Sequence, residues 1–72
     1  MTARRFEFVE GSSSKFWEIS TGDNNVTVRY GRIGTNGQTQ TKSFTNPDTA
    51  AQHAEKQVAS KLAKGYRELA AV

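Results

Sequence analysis

The sequence contains no cysteine and only one proline among its 72 residues. Without cysteine, neither a disulfide nor a cysteine-ligated zinc ion can stabilise the fold. No apolar run approaches the ~18–20 residues of a membrane span. The N-terminal residues, MTARRFEFVEG, lack the continuous apolar segment of a signal peptide. We therefore expect a cytoplasmic protein, with no membrane association, whose thin core is held together by packing alone.

Arrangements of residues that support catalysis are also scarce. The single histidine, His53, has no second metal ligand four residues away on a helix, which argues against a metal site. No nucleophile elbow is present, and the acids are scattered. Gly31, Gly34 and Gly37 match neither a dinucleotide-binding fingerprint nor a phosphate-binding loop. The sequence therefore predicts no enzymatic activity, no cofactor, no metal site and no small-molecule substrate.

Acidic residues are absent between Asp23 and Asp48. The formal net charge is +3, from ten Lys and Arg against seven Asp and Glu. The basic residues inside this acid-free window are Arg29, Arg32 and Lys42, and the other basic residues are balanced by acids elsewhere. A local positive field favours a polyanionic partner. A solvated basic sheet face would have the same composition, so charge alone leaves both explanations open.

The chain up to Phe44 alternates apolar and polar residues with the period of two that is typical of β-strands. Four strands are predicted, at residues 5–9, 15–21, 26–30 and 38–44. Turn-forming residues separate them, and the Asn36-Gly37 pair is a strong hairpin signal. The predicted core of the sheet consists of Phe6, Phe8, Trp17, Ile19, Val26, Val28, Ile33 and Phe44. Phe16 and Glu18 are expected on the opposite face of the second strand.

A helix of about eighteen residues is predicted after the last strand. Asn46 is the expected N-cap, Pro47 the first helical residue and Gly65 the residue that ends the helix. An apolar stripe is formed by Ala51, Ala54, Val58 and Leu62. His53 lies opposite this stripe and is expected to face solvent, as are Lys56, Lys61 and Lys64. The predicted fold is therefore α+β, a four-stranded antiparallel sheet with one long C-terminal helix packed on one face, and residues 1–72 form one domain.

The chain from Phe6 to Leu69 resembles the WGR domain family. The motif region reads YGRIGTNGQTQTKSF, and the helix that follows is alanine-rich and closes with KGY. The family is named for a Trp-Gly-Arg motif late in a strand, followed by a glycine-containing hairpin, a strand that ends in an aromatic residue and a long helix. Here Tyr30 stands at the position of the tryptophan, followed by Gly31 and Arg32.

The resemblance implies a module that contacts DNA. WGR domains occur in DNA-dependent poly(ADP-ribose) polymerases, where they help to recognise broken DNA ends and contact neighbouring domains, and they also occur in bacterial proteins. In the polymerases the aromatic residue of the motif packs against the sugar at a DNA terminus, and the arginine makes polar contacts to DNA or to a partner domain. By motif position these roles belong to Tyr30 and Arg32, with Gly31 allowing close approach of the backbone.

Two functional hypotheses follow. The first is a non-catalytic module that binds nucleic acid, DNA rather than RNA, through Tyr30, Gly31, Arg32, Arg29 and Lys42. The cations would contact phosphates, and the tyrosine would lie against a sugar or an exposed base. The second is a protein-interaction module in which the same surface docks an acidic partner or a neighbouring domain.

Overall fold

The protein folds as a five-stranded antiparallel sheet with a single helix packed across one face. The computed structural model describes residues 3–69. The elements in chain order are β1 (Arg4–Glu10), β2 (Ser13–Gly22), β3 (Asn25–Arg32), β4 (Gln38–Ser43), α1 (Pro47–Ala63) and β5 (Arg67–Glu68). The strands lie in the order β4-β3-β2-β1-β5. The α+β prediction is confirmed, whereas the predicted number of strands is wrong, because a fifth strand follows the helix.

Strand β5 is a short edge strand beside β1. Phe6 lies opposite Glu68, and Glu7 lies opposite Arg67. The Arg4 guanidinium donates two hydrogen bonds to the Glu68 carboxylate, at 2.7 and 2.8 Å. Two residues are too few to show an alternating pattern, so hydrophobic periodicity cannot detect this strand. Its pairing covers one edge of the sheet.

The apolar core lies between the helix and the sheet. Its buried residues are Phe6, Trp17, Ile19, Val26, Ala50, Ala54 and Val58. The rings of Phe6 and Trp17 lie 5.4 Å apart, and Trp17 is only 3% exposed. The other residues predicted for the core are only partly buried; these are Phe8, Val28, Ile33 and Phe44. Trp17 is therefore a core residue, as predicted, and offers no free ring face to a ligand.

Helix α1 has 17 residues and ends where the sequence predicts. The Asn46 side chain accepts a hydrogen bond from the backbone N–H of Thr49 at 2.8 Å, which satisfies one donor of the first turn. Gly65 follows the last turn with φ 102°. The backbone N–H of Tyr66 returns to the carbonyl of Lys61 at 3.0 Å, as in a Schellman motif. No helix within residues 3–69 is long and apolar enough to cross a membrane.

The helix is rotated about its axis relative to the predicted stripe. The residues that it buries against the sheet are Ala50, Ala54 and Val58. Ala51 is exposed, and Leu62 is 49% exposed. The prediction that His53 faces solvent is wrong, since its ring is half-buried and lies 4.9 Å from the ring of Phe44. Adjacent alanines have the same hydropathy, so sequence alone could not choose between Ala50 and Ala51.

The sheet face opposite the helix buries one aromatic residue of its own. Phe16 is 1% exposed. The guanidinium carbons of Arg5 and Arg29 lie 4.6 and 5.0 Å from the centre of its ring. Phe16 lies on the predicted face, but its burial was not predicted, because two long cationic side chains and a hairpin cover it rather than a second layer of structure.

The β3–β4 hairpin folds back so closely that two of its glycines touch neighbouring backbone. Gly37 has φ 69°, and a Cβ at this position would collide with the carbonyl oxygen of Tyr30 and come within 2.8 Å of Phe16 Cζ. A Cβ on Gly31 would lie 2.8 Å from the Cα of Gly37. The glycine of the Tyr-Gly-Arg motif therefore has a structural role, since it allows the hairpin to pack against its own strand.

We predict that Gly37→Ala lowers the free energy of unfolding by about 2–4 kcal/mol, because it combines a left-handed backbone with a steric clash. Gly34→Ala is the matched control. Gly34 also has positive φ (94°), but an added Cβ would meet no atom within 4 Å among the described residues. Its expected cost is only about 1 kcal/mol. Urea denaturation of both variants measures the difference, and equal destabilisation would contradict the packing of the hairpin described here.

Candidate nucleic-acid interface

Alternation of side chains along β3 and β4 places the basic residues Arg29 and Lys42 on different faces of the sheet. Arg29 lies opposite Glu18 of β2, on the face away from the helix. Lys42 lies opposite Val26, whose side chain belongs to the core beneath the helix. Arg29 and Lys42 therefore lie on opposite faces of the sheet, although the nucleic-acid hypothesis assigns both to one binding surface. Strand parity decides which face each residue takes. Odd- and even-numbered residues of β3 point to opposite faces, and Lys42 shares the face of Val26, its cross-strand partner.

An ion-pair network neutralises Arg29 on the helix-free face. Glu18 accepts hydrogen bonds from Arg29 at 3.0 and 3.1 Å and from Arg5 at 2.6 Å. Arg5 also donates to Glu7 at 3.1 Å. Burial opposes ionisation of Glu18, but the hydrogen bonds from Arg5 and Arg29 outweigh it and hold the pKa of the Glu18 carboxyl below its usual range. Arg29 thus has a structural partner, and its assignment as a nucleic-acid contact remains a prediction.

The helix and the other sheet face border an open groove of about 1040 Å³. Its basic lining residues are Lys15, Arg32, Lys42 and Lys61. No aspartate or glutamate of residues 3–69 lines it. A concave surface lined by charges of one sign concentrates the electrostatic potential and attracts ligands of the opposite sign. The groove is therefore a candidate binding site for an anion.

Lys15 and Arg32 face each other directly across β2 and β3. Like charges at such positions repel and destabilise a sheet. Within the described part of the chain, no carboxylate oxygen lies within 4.0 Å of the charged nitrogens of either side chain. Ser12 of the preceding turn and Ser13 and Ser14 at the start of β2 also line the groove, and Ser13 shares the strand parity of Lys15. An anion bound here would relieve the repulsion and would meet hydroxyl donors.

Lys61 reaches into the groove from the helix. Its ammonium nitrogen lies 5.4 Å from the centre of the Trp17 ring and 5.2 Å from that of Tyr66. Burial, followed by repulsion from Lys64 and Lys15, lowers the pKa of the Lys61 ammonium. The expectation that Lys61 is a solvated helix charge is wrong, because the side chain is half-buried over two aromatic rings.

Tyr30 forms part of the groove between these cations. Its hydroxyl donates to the side-chain oxygen of Gln38 at 3.3 Å and accepts from the amide of Gln40 at 3.2 Å. The ring is half-buried and packs against the core. Across the groove, His53 Nε2 and Gln57 Nε2 lie 3.4 Å apart. The groove thus combines an aromatic ring with amide and imidazole groups that donate and accept hydrogen bonds.

Four of the five residues predicted to bind nucleic acid line the groove: Tyr30, Gly31, Arg32 and Lys42. Two further cations, Lys15 and Lys61, were missed as candidates. The first could have been found from the sequence, because Lys15 shares strand parity with Trp17 and so belongs to the helix face. The position of Lys61 in the groove depends on the rotation of the helix about its axis. Residues 3–69 contain no group of three His, Cys, Asp or Glu that could hold a metal ion.

The architecture and this groove define a small α+β module with one basic concave surface. The chain belongs to the WGR domain family, since the family model matches residues 2–71. WGR domains are non-catalytic modules, so membership assigns no reaction to this chain.

Two curated relatives come from Escherichia coli K12. The chain is 38% identical over 65 residues to the uncharacterized protein YfeS. The matched region covers 90% of this chain and 27% of YfeS. It is 37% identical over 67 residues to the protein YehF. This matched region covers 93% of this chain and 24% of YehF. The chain therefore spans about a quarter of the length of these relatives.

A similar structure is known from Bacteroides fragilis. The crystal structure of that protein matches with a TM-score of 0.93 and 42% sequence identity. The match covers 96% of this chain and 20% of the Bacteroides chain. In each of these three proteins the similar region is a minor part of a longer polypeptide.

We predict that Glu18→Gln lowers the free energy of unfolding by about 1 kcal/mol at neutral pH, because two part-exposed guanidinium groups lose their carboxylate. The pKa of Glu18 is lower in the folded state than in the unfolded state. The contribution of this carboxylate to the free energy of unfolding is therefore complete above the unfolded pKa of about 4.3. It is lost as the pH falls from there through the folded pKa. Urea denaturation between pH 3 and pH 7 should show the two proteins converging at the acidic end. A difference that is independent of pH would contradict the assigned network.

Proposed function

We propose that this WGR domain is a non-catalytic nucleic-acid-binding module that takes DNA into the basic groove. The observation that carries the proposal is the convergence of four cations on a concave surface that no carboxylate of the described residues lines. Contacts to phosphate provide most of the affinity of a protein for DNA, and Lys and Arg provide most of those contacts.

Arg32 is the central phosphate ligand of this proposal. It is exposed at the end of β3 and lines the groove. Its only cross-strand neighbour in β2 is another cation, Lys15. A guanidinium group offers several N–H donors in a planar fork that matches two phosphate oxygens at once. Arg29 is different, because Glu18 already occupies its guanidinium.

Tyr30 supports the proposal through its position beside Arg32. Its hydroxyl group lies among amides at the groove, while the ring remains packed against the core. In the polymerases that contain WGR domains, the residue at this motif position packs against a sugar at a DNA terminus. A phenol ring provides a smaller surface for this contact than an indole ring does. The Tyr30 hydroxyl adds a hydrogen-bonding group that the indole lacks at that position.

The proposed interface is small, so binding should be weak and strongly dependent on salt. Three or four phosphate contacts give a slope of log K against log salt concentration of about −3 to −4 on duplex DNA. An acidic polypeptide would also be attracted to the groove, but it would lack the sugars and bases that the aromatic and amide groups can contact.

We predict that Arg32→Ala and Lys42→Ala each weaken DNA binding at low salt by about three- to tenfold and reduce the salt slope by about 1. Lys56→Ala is the control, because Lys56 is exposed on the helix and does not line the groove. It removes the same charge and should change affinity less than twofold. Fluorescence anisotropy of a labelled oligonucleotide at several salt concentrations measures both quantities.

Three results would contradict the proposal. One is the absence of salt-dependent binding to any DNA probe at low salt. Another is an equal loss of affinity in Lys56→Ala, which would indicate a response to net charge rather than to the groove. The third is saturable binding of poly-glutamate that the DNA probe cannot displace, which would favour the protein-interaction hypothesis.

A further inference from the structure

We propose that the groove binds a DNA segment whose bases are unpaired, and that Lys15 and Lys61 act with Arg32 and Lys42 as its phosphate ligands. This inference rests on the proposed function and names the form of DNA that the site selects. It follows from the shape of the groove, the spacing of the cations and the chemistry of the surface between them.

The shape of the site favours a flexible single strand. The binding surface is a groove between helix α1 and the sheet, and the whole domain measures 40 × 24 × 21 Å. A DNA duplex is a rigid cylinder about as wide as this domain, so it meets the groove mainly at its rim. A single strand bends readily and can follow a concave path.

The cations are spaced along the groove rather than clustered at one point. Lys15 and Arg32 are paired at one end, beside the serine-containing turn. Lys42 is level with Val26, about 20 Å from Arg32 along β3 at the usual rise of a strand. Lys61 lies on the helix side. This arrangement suits a short run of consecutive phosphates and is longer than a single phosphate group requires.

The surface between the cations suits bases that are not paired. Tyr30, Gln40, His53 and Gln57 line this part of the groove. Amide and imidazole groups hydrogen-bond to base edges, and an aromatic ring packs against a base or sugar. In a duplex the pairing edges of the bases face each other and the base faces are stacked. A splayed single strand presents both to the protein, which is how single-stranded segments are commonly recognised.

The paired cations Lys15 and Arg32 repel each other at one end of the groove. They face each other across two strands, and Lys15 also contributes to the lowered pKa of Lys61. A phosphate placed among these three groups would reduce all of the repulsions together. Lys15 and Lys61 lie outside the Tyr-Gly-Arg motif, so their participation is a property of this fold rather than of the motif.

The test compares two substitutions on the same helix that each add one negative charge. Gln57→Glu places a carboxylate in the groove, four residues before Lys61. Gln52→Glu places one on the exposed side of the helix, four residues before Lys56. Both variants therefore have the same net charge and the same helical spacing from a lysine. Circular dichroism and thermal unfolding verify that both remain folded.

The probes are a labelled twelve-nucleotide oligothymidylate and a relaxed, covalently closed circular duplex, which has neither ends nor loops, compared at equal phosphate concentration. We expect the wild-type protein to bind the single strand at least about fivefold more tightly than the closed duplex. Gln57→Glu should weaken binding of the single strand about tenfold, the effect of a single unfavourable charge contact. Gln52→Glu should weaken it less than twofold.

The outcomes separate this inference from the function on which it rests. Tighter binding to the closed duplex than to the single strand, or equal effects of Gln57→Glu and Gln52→Glu, would overturn the inference and leave DNA binding intact. Failure to bind either probe at low salt would overturn the proposed function as well. Lys15→Ala provides an independent check, since it should weaken binding of the single strand as much as Arg32→Ala does.

Discussion

The antiparallel pairing of β2 with β3 is the constraint on which the rest of the structure depends. This register places Lys15 opposite Arg32 on the helix side of the sheet and Glu18 opposite Arg29 on the other side. Because side chains alternate between faces, a shift of one residue would move every charge to the wrong face and bring Trp17 out of the core. The register thus determines which cations are neutralised and which remain available for a ligand.

The two faces of the sheet differ in how well their charges are satisfied. On the helix-free face, Glu18 lies between two guanidinium groups, and these groups cover the ring of Phe16. On the groove side, Lys15 and Arg32 repel each other, and Lys61 is half-buried. Folded proteins tend to satisfy their local interactions, and departures from this tendency concentrate at functional sites. The contrast supports a functional role for the groove.

The Tyr-Gly-Arg motif combines structural roles with the proposed contacts to DNA in three consecutive residues. Tyr30 packs against the core and directs its hydroxyl to the amides of β4. Gly31 leaves room for the backbone of Gly37, so the hairpin can fold onto Phe16. Arg32 ends the strand at the groove. The position of the arginine therefore depends on the glycine before it, because a side chain at residue 31 would force the hairpin away from the strand.

The sequence by itself determined the local structure of this protein. Alternation and turn chemistry define β1 to β4, and capping residues define the helix ends, because these signals act between residues that are close along the chain. Only the tertiary structure decided how the elements meet. It paired Arg29 with Glu18, added β5 beside β1 and rotated the helix so that Lys61 lies over the groove. Such contacts join residues distant in sequence, and their geometry depends on the packing of the whole domain.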